Sequence, residues 1–200
     1  MTNLRYCMIT AVLAAGALAV PSPAQGLYGD EGKKAVSGDL NDQDYWWSKY
    51  DAMMLELAIK QRQPEGRIGV DLAVYLRRLN DLVKKYPQHK EIAQWKARAE
   101  EVEAKINPNA DRRVYFTAEC PWEEANFAQL WVNLHWAKTA FDAKDYNTAR
   151  SCLQNVMQNY AIMLQPDRMK HYPDDLRKYV EDSKPDAEKL YKATTDKMGG

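Results

Sequence analysis

Along residues 41–198, apolar side chains recur at steps of three and four, and that period predicts helices. A first helix over 42–61 has Asn41 as its N-cap and places Trp47, Tyr50, Met54 and Leu57 on one face. Pro64, Glu65 and Gly66 form the turn after it. A second helix over 68–86 carries Ile68, Leu72, Tyr75, Leu76, Leu79, Leu82, Val83 and Tyr86 as a stripe that Pro87 stops. A third, reaching about 106, aligns Ile92, Trp95, Ala99, Val102 and Ile106 and ends at Asn107-Pro108-Asn109. Val114-Tyr115-Phe116 reads as a packed loop or a lone strand, and without a partner it makes no sheet.

Pro121 at a first-turn position, with Glu123 and Glu124 near the positive end of the helix dipole, opens a long helix to about 143. Its core face is Phe127, Leu130, Leu134, Ala137 and Phe141. Asp145 caps the next helix, where Tyr146, Ala149, Cys152, Leu153, Val156, Met157 and Tyr160 share a stripe, so the two form a tight antiparallel hairpin. Two short helices follow, one opened by Pro173 and one by Ser183. The fold class is therefore all-α: antiparallel hairpins at about 42–86, 88–106 and 121–161 with a C-terminal cap at 173–198, making up one helical domain over 41–198.

The residues ahead of that domain differ in kind. Arg5 precedes an uncharged, mostly apolar run over 8–20, and Ser22 and Ala24 stand at the two small-residue positions before a cut ahead of Gln25. Residues 1–24 thus predict a secretory signal peptide and an exported, periplasmic or extracellular protein. Cys7 lies ahead of the apolar run, too early for the lipidated Cys of a lipoprotein. Four glycines among residues 25–40 predict a flexible leader. No later run approaches the roughly 20 apolar residues of a membrane span, so no membrane insertion is expected after signal removal.

Charge removes one class of partner. With 28 basic and 28 acidic residues the chain is formally neutral, which argues against nucleic-acid binding driven by phosphate neutralisation. The aromatic content is weighted to six Trp and twelve Tyr against three Phe, amphipathic rings suited to half-buried and contact surfaces.

The segment LWVNLHWAKTAFDAKDYNTARSCLQNVMQNY, residues 130–160, resembles a tetratricopeptide repeat: Trp131 and Leu134 stand in its first helix, Asp145-Tyr146 at its turn and Ala149 after it. His135 departs from the usual small residue, and Ala161 stands where a closing Pro belongs. Residues 79–102, with Tyr86-Pro87 between hairpins, look like a repeat-to-repeat junction in envelope proteins of this class. The resemblance implies a short stack or bundle of hairpins presenting a groove to a protein or peptide of the cell envelope.

Catalytic and cofactor chemistry is sparse. His89, His135 and His171 lack metal-ligand spacing, and there is no Cys-x-x-Cys or Gly-rich phosphate loop, so no cofactor, no metal and no enzymatic activity are expected. His135 is expected on the solvated side of its helix. The acidic groups Glu100, Glu101, Glu103 and Glu119, Glu123, Glu124 read as solvated faces, and Lys84, Lys85 and Lys90 as cations near helix ends. Cys120 and Cys152 lie roughly 24 Å apart along the hairpin, beyond the ~7 Å that a disulfide spans, so no disulfide is expected. Cys152 reads as a small core residue.

One constellation stands out. Trp122, Asn126, Gln129, Asn133 and Trp136 recur at steps of four, three, four and three, which puts them on one ribbon beside the core face of the long helix. Amides both donate and accept, so such a ladder can hold an extended peptide, and the indoles add flat apolar contact. In the tetratricopeptide class the corresponding helix commonly lines the groove. Two other uses of these residues stay open: internal packing, and a pocket for a sugar or other polar ligand. A second aromatic group, Tyr45, Trp46, Trp47 and Tyr50, reads as core plus interface. The sequence therefore points to an exported, non-enzymatic interaction module, with a small polar-ligand binder as the alternative and an enzyme of unknown class third.

Overall fold

The computed structural model describes residues 38–61, 68–106, 109, 112–116 and 121–199; the expected signal peptide, most of the leader and Cys120 lie outside them. Among the described residues there are seven helices and one two-stranded sheet, so the fold is all-α. The chain divides into two compact units, Gly38–Val132 and the part from Asn133 onward.

The first unit opens with α1, Gln43–Gln61. Its cap is Asp42 rather than Asn41: the Asp42 carboxylate accepts the N–H groups of Asp44 at 2.8 Å and Tyr45 at 3.2 Å. The buried face also differs from the expected stripe. Trp47 is 46% exposed, while Tyr45, Trp46, Ser48, Lys49, Ala52, Met54, Leu55 and Ala58 are buried. The reason is that α1 packs against a second helix and a strand pair together, which buries more than one side and leaves no single stripe to read.

That strand pair corrects two expectations. Ile68–Asp71 (β1) is a strand, not the first turn of the second helix, and it supplies the partner that Val114 was expected to lack. It pairs antiparallel with Arg113–Phe116 (β2), in a register that sets Ile68 opposite Phe116 and Asp71 opposite Arg113. Gly69 disfavours helix here, and the β-branched Ile68 and Val70 suit a strand. Asp71 then caps α2 (Leu72–Lys85), its carboxylate accepting from the Val74 N–H at 3.2 Å. Leu72, Tyr75, Leu76, Leu79 and Leu82 are buried as the stripe predicts. Residues 88–106 supply one helix and no hairpin: α3, Lys90–Lys105, packs along α2 and buries Ile92, Trp95 and Ala99.

The long helix α4, Pro121–Asp142, contributes its first part to one unit and its last part to the other. It passes to α5, Tyr146–Met163, through a turn in which Lys144 adopts φ +62°. The Lys144 N–H bonds the Phe141 carbonyl at 2.9 Å and the Asp145 N–H reaches back to Ala140 at 2.8 Å, the Schellman pattern. Asp145 also caps α5 by accepting from the Thr148 N–H at 3.2 Å.

The short α6, Pro166–Met169, leads to α7. Where two short helices were expected, Asp174–Gly199 is one helix with Pro185 inside it. Pro185 is exposed, and the face carrying Leu176, Tyr179, Val180, Ser183 and Ala187 is buried, so packing against α5 holds the helix together across the missing N–H. The Tyr160 hydroxyl donates to Ser183 at 2.7 Å between the two helices. No helix of the described residues is long and apolar enough to cross a membrane.

Candidate functional site

The ribbon singled out in the sequence coincides with a structural boundary on α4. Between Glu124 and Ala137, every residue is buried except Asn126, Gln129, Asn133 and Trp136. Gln129 is exposed and the other three are half-buried, and their spacing sets them in one row, the seam, along the helix. Gln129, Asn133 and Trp136 also interact within the chain. Trp122 lies in the first turn of α4, but its side chain is outside the described set. Asn126 and Gln129 fall in the first unit, Asn133 and Trp136 in the second.

His135 is not on that seam. It is buried at 7% exposure, contrary to the expected solvated imidazole, because Leu134 and Ala137 flank it on a helix covered on nearly every side. Lys138, one turn beyond Leu134, has its ammonium pushed below the ordinary lysine range by burial, partly offset by Asp186 and Asp142. Cys152 is buried and free, and burial, with the Asp145 carboxylate adding to it, pushes its thiol up to about 12.

The acidic group on α3 is a paired surface: Glu100 meets Lys96, and Glu101 meets Arg98 at 2.7 Å and Lys105 at 2.6 Å. Arg112 holds Glu103 at 2.6 Å. Glu119 is outside the described residues; Glu123 is half-buried, and Glu124 is buried, which departs from a solvated face. Lys84 pairs with Asp81 at 3.1 Å, and Lys85 pairs with Asp42.

A buried charge cluster in the first unit escaped the sequence reading. Lys49 lies 2.8 Å from Asp39 and 3.4 Å from Glu91, with the Lys49 and Asp39 side chains only 8% and 4% exposed. Its ammonium also stands 5.1 Å from the Trp46 ring, 5.3 Å from Tyr45 and 5.6 Å from Trp131, within cation–π range of all three. The Tyr45 hydroxyl lies 2.5 Å from Glu91 and 2.7 Å from Asp39, and its one proton is donated to one of these carboxylates at a time. Burial, then the Glu91 and Asp39 charges, hold that phenol well above its ordinary value, so it remains a donor. Beside it, His89 bonds the Gly38 carbonyl at 2.7 Å and caps α3. Asp39 falls in the stretch that composition assigned to the leader. The usable signal was a charged residue at 49, one turn after Tyr45, inside an aromatic run.

Two further ion pairs tie α1 to its neighbours. Arg78 of α2 meets Asp51 at 2.5 Å, and Arg98 of α3 meets Glu56 at 2.7 Å. Burial raises the Asp51 carboxyl despite the guanidinium, and Tyr50 is pushed up to about 12 by burial and by Asp51. Such linked pairs hold α1 in place against α2 and α3. Among the described residues no three His, Cys, Asp or Glu side chains are grouped to hold a metal ion.

Comparison of the chain with protein-family models, with curated proteins and with solved structures finds no match.

Proposed function

We propose that the chain is an exported, non-enzymatic interaction module of the cell envelope, and that the α4 seam holds a protein or peptide partner. The observation supporting this is the chemistry of the seam. Exposed helix positions ordinarily carry Lys, Glu or Arg, yet the accessible residues between Glu124 and Ala137 are three amides and an indole. Amides and Trp give up less hydration on contact than charges do, and Trp is enriched among the residues that dominate interface energy. Trp122 extends the same ribbon by its spacing. The tetratricopeptide-like stacking of hairpins belongs to this proposal too; the capped α4–α5 turn and the fully buried Ala149 support it.

The test pairs capture with stability. The mature protein and its Asn126→Ala/Asn133→Ala variant are used to capture partners from envelope extract, and both are unfolded in urea. The proposal expects a specific partner retained by the parent and lost by the variant, with stability within about 0.5 kcal/mol. A destabilisation of roughly 1–3 kcal/mol with capture intact would assign the amides to internal packing and overturn it.

A further inference from the structure

The second unit carries a groove that shares no residue with the α4 seam. It has a volume of about 550 Å³ and is lined by Leu164, Met169, Lys170, Arg177 and Glu181. That volume is within the range of small-molecule sites. The end of α5, the end of α6 and the second and third turns of α7 build it, so the groove rests on helices.

Its polar groups have unused capacity. Arg177 uses one terminal nitrogen, Nη2, which donates to the Tyr172 carbonyl at 3.3 Å and lies 3.3 Å from Asp174. That anchor leaves Nε and Nη1 without a protein partner among the described residues. Glu181 makes no ion pair among them, although Arg177 lies one turn before it on the same helix. Opposite charges spaced to close on each other instead line one groove unpaired with each other, and Met169 and Leu164 add apolar lining to it.

The charge balance selects the ligand. Lys170 is paired with Asp167 at 2.9 Å and Arg177 with Asp174, and Glu181 adds a further negative charge. The lining itself offers both signs, Lys170 and Arg177 against Glu181, and the two cations are already paired outside it, which weakens their draw on a simple anion and favours a molecule that carries both charges. We propose that this groove binds a small zwitterion with an apolar side chain, an α-amino acid of the leucine type. Its carboxylate would lie on Arg177 and Lys170, its ammonium on Glu181 and its side chain on Leu164 and Met169. Exposed ion pairs are individually weak, so the affinity belongs in the millimolar range.

The experiment is a heteronuclear NMR titration of the purified protein with L-leucine, and with isovalerate and isoamylamine as analogues keeping only one charge each. Saturable shifts with leucine in residues 164–181 are expected, with each analogue binding about fivefold more weakly or worse. Glu181→Gln and Arg177→Gln should each weaken leucine to a similar degree. Glu181 is exposed and makes no ion pair among the described residues, so its variant keeps the fold even if Arg177→Gln disturbs the turn at Tyr172. Absence of saturable shifts overturns the proposal, as does isovalerate binding as well as leucine with Glu181→Gln indifferent.

Discussion

The Lys49 ammonium meets the Asp39 carboxylate at 2.8 Å with both side chains more than nine-tenths buried, which joins the residues just ahead of α1 to the middle of that helix. Glu91 and the Tyr45 hydroxyl complete the network, and three aromatic rings enclose it. Two charges removed from water recover that cost only through mutual pairing, so removing one partner strands the other. Lys49→Met should therefore destabilise the first unit by about 3–5 kcal/mol in urea unfolding. Adding Asp39→Asn should cost less than the sum of the two single changes, because the second substitution removes the stranded charge. A loss under about 1 kcal/mol for Lys49→Met would mean that the pair behaves as a solvated one.

Pro185 sits within α7 at an exposed position, so no core contact depends on its ring. A proline in a helix interior lacks the N–H that would bond the carbonyl four residues back, and it costs about 3 kcal/mol relative to Ala. Part of that is returned because proline restricts the unfolded chain. Pro185→Ala should stabilise by roughly 1–3 kcal/mol, seen as a higher Tm of the second unit. A lower Tm would show that α7 needs the bend or the stiffness that Pro185 supplies.

The turn between α4 and α5 stores a smaller strain. Lys144 occupies the left-handed region at φ +62°, where the Schellman pattern ordinarily places Gly. Lys144→Gly removes the Cβ conflict and adds backbone freedom to the unfolded state, and the first effect is the larger. A gain of about 0.5–1 kcal/mol is expected in urea unfolding, with Lys144→Val giving a loss. If Lys144→Gly is destabilising, the lysine side chain contributes a contact that outweighs the strain.

What could be read from the sequence follows from how many sides of an element are covered. On α2 one side is buried, so Leu72, Tyr75, Leu76, Leu79 and Leu82 show the period directly. On α1 burial runs from Tyr45 and Trp46 round to Lys49, and Trp47, expected inside, stands out in solvent. Ile68 falls on the helix stripe that runs on through Leu72, and the distant partner Arg113–Phe116 decides for a strand. The seam on α4 was legible because its spacing is local. The Lys49 network was not, because Asp39 and Glu91 come from separate segments and a lysine in a helix ordinarily reads as surface.

Asp42 gives the pH dependence a sign. Burial raises its carboxyl, but the hydrogen bonds from Lys85, from the Tyr86 hydroxyl at 2.8 Å and from the Tyr45 N–H outweigh that, so its pKa lies below the ordinary value of 3.8. A carboxyl with a depressed folded-state pKa contributes stability that is fully present above its unfolded value and is lost as pH falls through the folded one. The first unit should therefore hold its stability down to about pH 4 and lose this contribution below it. Asp42→Asn keeps a capping oxygen for the start of α1 while abolishing the charge. The variant should be less stable than the parent at neutral pH and converge with it as pH falls through the depressed folded-state value, followed by urea unfolding from neutral to acid pH. A difference that stays constant from neutral to acid pH would show that the loss is one of geometry and not of the Asp42 charge.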